Sequence, residues 1–213
     1  MTSKTSARTL GHYESSAERF RAGTRDHDVS QNTAALLGAL EGAPPFAILD
    51  LGCGPGRDLA YFGSLGHTAV GVDGCHAFCE MARDQSGCEV LEQDFLSLAL
   101  PAGRFDGIFA NASLFHVPGT AIVRVLGELR DALKPRGVLF ASNPWGKDEE
   151  GWNGERYGAY WSLPKWRSLL AQAGGFEELG HYYRPEGKPR DEQPWLATLW
   201  RKASPGQPGS GAL

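Results

Sequence analysis

Three alternate glycines, Gly52, Gly54 and Gly56, directly follow the apolar run AILDL, so a strand runs into a glycine-rich turn that opens a helix. The backbone amides of such a turn, with a helix N-terminus behind them, hold an anionic group, and glycine lets the chain approach it closely. Asp73 stands 21 residues after Gly52, at the end of a second apolar run, TAVGVD. From there a carboxylate accepts hydrogen bonds from ribose hydroxyls. After a third run comes Asp94-Phe95, a carboxylate to accept from the exocyclic amine of adenine and a ring to pack the base. The three together point to an adenosine-type ligand.

The turn reads GxGxG, and Arg57 stands where the dinucleotide fingerprint has its third glycine, so helix packing should differ from that of a dehydrogenase. Asp50, two residues before the first glycine, would repel a pyrophosphate and favour an ammonium group. S-adenosylmethionine carries that ammonium, and its carboxylate suits the loop amides and the helix N-terminus. Cys53 and Gly74, beside these positions, complete the expected contacts.

The elements that must position this turn alternate along the chain: FAILDL, RDLAYFGSLG, TAVGVD, HAFCEMARDQ, CEVLEQD, RFDGIFAN, TAIVRVLGELRDALKP and GVLFASN read as strand, helix, strand and so on. This rhythm predicts an α/β doubly wound parallel sheet with helices on both faces. SLPKWRSLLAQAG reads as a further helix, and FEELGHYYR and PWLATLWRK as two closing strands with no helix between them, hence an antiparallel edge. Ahead of the sheet, cap helices are expected over about 13–41, the first capped by Ser15 or Ser16. One domain over 1–202 follows, with its core at about 46–202, a lid loop at about 144–158, and a disordered tail at 203–213.

Composition narrows the partners. The net charge is −4 with basic residues scattered, which lacks the footprint of a nucleic-acid or anionic-membrane binder, so a small molecule is expected. No apolar run is long enough for a membrane span and no leader is legible, which points to a cytoplasmic protein. Cys53, Cys75, Cys79 and Cys88 match neither a zinc ribbon nor a disulfide framework, so no metal is expected. The 28 glycines, about twice the usual share, need positions to occupy.

DLGCGPG, GVD, QDF and FANASLFHV, in that order, resemble the motif series of class I S-adenosylmethionine-dependent methyltransferases across about residues 46–143. The resemblance implies a seven-stranded Rossmann-like sheet of order 3-2-1-4-5-7-6 with strand 7 antiparallel, and S-adenosylhomocysteine as product. It implies that Asn111 and Ala112 face the methyl donor and that Tyr13 closes over its methionine portion. Three further blocks, YESSAERFRAGTRDHDVSQN, NPWGKDEEGWNGERYGAY and HYYRPEGKPRDEQPWLATLWRK, resemble the methyltransferase domain of ovothiol biosynthesis, over about residues 11–202. That family methylates the π nitrogen of 5-thiohistidine and is often fused to an iron-dependent sulfoxide synthase. Two positions depart from its pattern: Trp145 replaces an Arg, and Glu155 a Gly. No histidine pair here forms the synthase's iron pattern, so a separate synthase is the implied partner. Methylation of another small molecule, or donor binding without turnover, are the alternatives.

Methyl transfer is an in-line displacement that needs the nucleophile's lone pair about 3 Å from the methyl carbon. Imidazole, with a reference pKa of ~6.5, needs no strong base at neutral pH. It needs tautomer control, because methylating the π nitrogen requires the proton on the τ nitrogen. The acceptors on the ligand side are Asp26, His27, Asp28, Asn111, His116, Asn143 and Asn153, of which Asn111, His116 and Asn143 are the catalytic candidates. His116 could equally be a packing histidine. Arg25, Arg156 and Arg184 could pair with a substrate carboxylate. Trp152 and Tyr157 could line the lid, and Tyr183 is taken as the pocket-facing member of the alternating pair Tyr182-Tyr183.

Overall fold

A computed structural model describes residues 2–204. Five strands form the parallel part of the sheet: β1 (Ala47–Leu51), β2 (Thr68–Asp73), β3 (Glu89–Glu92), β4 (Phe105–Asn111) and β5 (Leu133–Pro144). With β8 (Phe176–Arg184) and β9 (Trp195–Lys202) they make one seven-stranded sheet of order 3-2-1-4-5-9-8, and β9 is antiparallel to both neighbours. This is the expected topology, with the last two strands numbered higher because an extra hairpin precedes them.

The parallel strands are apolar throughout because helices cover both faces. On one face α5 (Gly119–Ala132) and α6 (Leu163–Ala173) bring Ile122, Val125, Leu129, Trp166 and Leu170 against Leu49, Ile108 and Leu139. On the other, α2 (Ser30–Ala39), α3 (Arg57–Ser64) and α4 (His76–Ser86) place Leu36, Leu59, Phe62 and Ala82 over Ile48, Phe109 and Phe140. A third, smaller cluster sets Leu10, Tyr13, Ala17 and Phe20 against Phe78 of α4.

That third cluster corrects the expected N-terminus. Residues 10, 13, 17 and 20 repeat at helical spacing, so one helix, α1 (Thr2–Thr24), runs through where a break was expected. Ser15 and Ser16 are not caps: both hydroxyls donate back to the His12 carbonyl, at 2.9 and 2.7 Å. The expected lid loop is also corrected. Within it β6 (Glu149–Asn153) pairs with β7 (Arg156–Tyr160) around the two-residue turn Gly154-Glu155, with Gly154 at φ +61°, as a type II′ hairpin requires. Gly56 supplies the tight helix packing missing at Arg57: a Cβ there would lie 2.6 Å from Ala82 Cα of α4. Of the expected tail, residues 205–213 lie outside the described residues. Among the described residues no helix is long and apolar enough to cross a membrane.

Candidate active site

A cavity of about 700 Å³ opens at the C-terminal ends of β1, β2 and β4, roofed by α1 and reached by the far end of β8. This is where an open α/β sheet binds its ligand.

Its floor is the glycine turn. Gly52 has φ +76°, and a Cβ on it would sit 2.4 Å from Ser113 Cβ and 3.2 Å from the Phe95 ring. The cradle between those two side chains therefore exists only because residue 52 has none. Asp73 accepts from the Gly54 amide (3.0 Å) and the Cys75 amide (2.9 Å), which ties the turn to the end of β2. Burial raises its carboxyl to about 6, against the opposing pull of the Cys75, Gly54 and Gly74 amides. Asp94 caps a short 3₁₀ turn by accepting from the Leu96 amide at 2.8 Å, and this carries Phe95 into the cavity wall. Tyr13, Cys53, Gly54, Gly74, Asn111 and Ala112 also line the cavity, Ala112 with φ +60°.

Asp50 does not line it. The carboxylate is buried behind the turn with Oδ2 unpartnered, and its pKa is pushed well up by burial and by the negative charge of Asp58. It packs toward the start of α3, beside Asp58 and the Leu59 amide. Asp58, at the start of α3, also reaches the cavity wall, and sequence reasoning missed it although an acid in the first turn of a helix is a legible signal. Arg57 grips Asp58 in two contacts of 2.7 and 2.9 Å and donates to the Thr24 carbonyl at 2.7 Å, pinning the end of α1. Asn111 donates to Asp58 at 3.3 Å and accepts from Asn32 at 2.9 Å, and Tyr182 donates to Asn32 at 2.9 Å. Both ends of the Asn111 amide are thus engaged within the protein.

Of the expected substrate residues, Arg25, His27, Asp28 and Arg184 meet at the cavity wall with His116. Arg184 donates through Nη2 to the Asp28 carbonyl at 2.7 Å, and its Nε is buried without a partner. His116 Nδ1 lies 2.6 Å from the Tyr157 carbonyl and Nε2 lies 2.8 Å from Tyr13 Oη, while burial lowers its pKa to about 4.

The others lie elsewhere. Asn143 is on the opposite face of β5 from the cavity-lining Ser142, beside Trp161, Trp166 and Leu196. Strand parity removes it from the candidate acceptors. Asp26 is exposed and pairs with Arg25 at 3.2 Å. Tyr183 stands over the Arg190 guanidinium, which also stacks on Trp145, and neither ring lines the cavity. Asn153 and Trp152 are on the exposed hairpin, Trp152 beneath the Arg8 guanidinium at 4.2 Å. Arg156 and Tyr157 belong to β7, outside the wall itself, but the Tyr157 amide donates to Thr9 Oγ1 at 3.1 Å and its carbonyl meets His116. Arg8, unforeseen from sequence, closes the arrangement with a 2.6 Å contact to Glu155.

Residues 49–141 match the family of the methyltransferase domain. Over that stretch the chain is similar to methyltransferase domains, and its fold is that of the class I, S-adenosylmethionine-dependent enzymes. Over 133 residues it is 33% identical to 24-methylenesterol C-methyltransferase 2 of Oryza sativa subsp. japonica, covering 59% of this chain and 34% of that one. Over 105 residues it is 37% identical to trans-aconitate 2-methyltransferase of Azoarcus sp., covering 48% and 40%. The matches thus span well under half the length of these relatives. The methyltransferase fold is shared with 1,6-didemethyltoxoflavin-N1-methyltransferase of Burkholderia thailandensis, solved with 1,6-didemethyltoxoflavin and S-adenosylhomocysteine bound. The TM-score is 0.77 at 23% identity, covering 96% of this chain and 91% of that one. Gly52, Gly54, Asp73 and Phe95 form a cradle at the cavity floor, and Asp58, not Asp50, reaches the cavity wall.

Proposed function

We propose that this protein methylates the imidazole π nitrogen of 5-thiohistidine or its 5-seleno analogue, giving ovothiol A or the seleno equivalent. S-adenosylmethionine supplies the methyl group. The observation that carries the reading is Arg184 beside Asp28 at one cavity wall. A guanidinium with unspent donors next to a carboxylate matches the carboxylate and ammonium of a free amino acid. Hydrogen bonds from Ser30, with a smaller pull from Arg184, hold the pKa of Asp28 below the usual carboxylate value, so that carboxylate is charged at neutral pH.

The sequence blocks that resemble the ovothiol-forming family support the same reading. The first and third contribute Tyr13, Arg25, His27, Asp28, Arg184 and Trp195 to one wall, and the second forms the hairpin fastened to α1. We place the protein after a separate iron-dependent sulfoxide synthase, which supplies the chalcogen-bearing histidine. The test is methylation, with S-adenosylmethionine present, of histidine, 5-thiohistidine, 5-selenohistidine and histidine betaines, each product identified by mass and NMR. Preference for the two chalcogen-bearing histidines is expected. Preference for plain histidine sinks the reading, and tight donor binding with no product from any of them favours a non-catalytic partner.

A further inference from the structure

Two side chains that meet at the cavity wall have their proton positions fixed by geometry. His116 Nδ1 lies 2.6 Å from the carbonyl oxygen of Tyr157, an atom that only accepts. The proton of the neutral ring therefore sits on Nδ1, and Nε2 is a bare acceptor. The 2.8 Å contact between Nε2 and Tyr13 Oη is consequently donated by the phenol. The phenol has spent its only proton on His116, so toward the cavity it offers acceptance alone.

We propose that Tyr13 Oη takes the proton-bearing ring nitrogen of the substrate, and that His116 is the positioning residue that keeps the phenol proton pointed away from it. This rests on the imidazole methylation proposed above and deepens it, because an acceptor held on one ring nitrogen leaves the other nitrogen's lone pair for the methyl group. Apart from the His27 ring, which also lines the cavity, the other candidates are committed elsewhere. Asn111 is bonded at both ends, the Asp58 carboxylate is held by Arg57 and Asn111, Asn143 is on the wrong face, and Asp28 Oδ1 accepts from the Ser30 amide. The His116 lone pair is taken by Tyr13 itself.

The test compares Tyr13→Phe, His116→Phe and His116→Gln in the full chain, the last keeping an acceptor for the phenol. Product regiochemistry on 5-thiohistidine is read by NMR, kcat and KM are measured, and the Kd for S-adenosylhomocysteine is obtained by calorimetry. Tyr13→Phe is expected to lower kcat/KM for the imidazole about tenfold, the scale of one lost hydrogen bond, and to release some τ-methylated product, with the S-adenosylhomocysteine Kd within twofold of wild type. His116→Phe should likewise mix the products, and His116→Gln should restore a single one. An unchanged product ratio and rate in Tyr13→Phe overturns the proposal, as does a rise in the S-adenosylhomocysteine Kd that matches the loss of kcat/KM. If wild type methylates no imidazole, the function reading fails by itself. The proposal is then decided by 5-thiohistidine binding to the S-adenosylhomocysteine complex: weakening on Tyr13→Phe sustains the acceptor role, and an equal Kd overturns it.

Discussion

The floor and the roof of the cavity are held in different ways. The floor is buried and assembled over shorter sequence separations: Gly54 meets Asp73 across 19 residues, and Gly52 packs on Ser113. The roof is assembled across the whole chain. Arg8 meets Glu155 147 residues on, Thr9 meets Tyr157 148 residues on, and Asp28 meets Arg184 156 residues on. The Arg8 and Glu155 side chains are 47% and 58% exposed, in the range where ion pairs add little. On the proposed function, the fixed floor would hold the donor and the lightly fastened roof would admit the substrate, with stability concentrated where motion is not needed.

The strongest way to break the contrast is Gly52→Ala. With φ at +76° and Ser113 Cβ 2.4 Å from the new methyl, the floor must distort, and S-adenosylhomocysteine affinity should fall on the order of 100-fold with a lower Tm. Wild-type affinity in calorimetry would show that the floor yields. Next is Asp73→Ala, expected to raise the donor's KM tenfold or more, since a buried charge-assisted acceptor is lost. In wild type, ribose hydroxyls favour the ionised carboxylate, so affinity should weaken as pH falls through about 6, up to tenfold per pH unit. A flat pH profile of S-adenosylhomocysteine binding contradicts this.

A third test sharpens the comparison, because floor and wall oppose each other in acid. His116 titrates near 4 when folded and ~6.5 when unfolded, so its contribution is present above 6.5 and is lost as pH falls toward 4, up to about 3 kcal/mol. Asp73 has the opposite sign: its raised pKa favours the folded state at low pH, and that gain disappears as pH rises through about 6. Wild-type stability changes by only the difference of the two. Set against His116→Gln in urea titrations, wild type should lose stability steadily from pH 6.5 to 4, and a constant gap between them refutes the assignment. The smallest effect is expected from Arg8→Ala. Tm should hardly move, while hydrogen exchange in residues 149–160 accelerates; unchanged exchange would mean that the hairpin is fixed from elsewhere.

The floor was legible because parallel strands covered on both faces are continuous apolar runs, and because a glycine turn after such a run has one place in the fold. The roof was less so. The hairpin strand Glu149–Asn153 carries Glu, Glu, Gly, Trp and Asn, without the alternation that marks a half-buried strand. Ser15 and Ser16 suggested a cap, while the apolar repeat at 10, 13, 17 and 20 carried α1 past them. Asn143 failed by one residue, since strand parity decides between it and Ser142, and Asp50 failed because it is buried behind the turn beside Asp58. Nothing in the sequence pairs Arg8 with Glu155: that contact depends on where two distant elements come to rest.

Helix α1 is tethered unequally at its two ends. Near its C-terminus the Arg57 side chain, only 29% exposed, reaches the Thr24 carbonyl at 2.7 Å, whereas near its N-terminus the holding pair is in open solvent. Salt screens the second far more than the first. The helix should therefore peel from the Arg8 end, so that spent donor and methylated product leave past the hairpin and not past Arg57. Where that departure limits turnover, raising ionic strength should speed the enzyme before it weakens it.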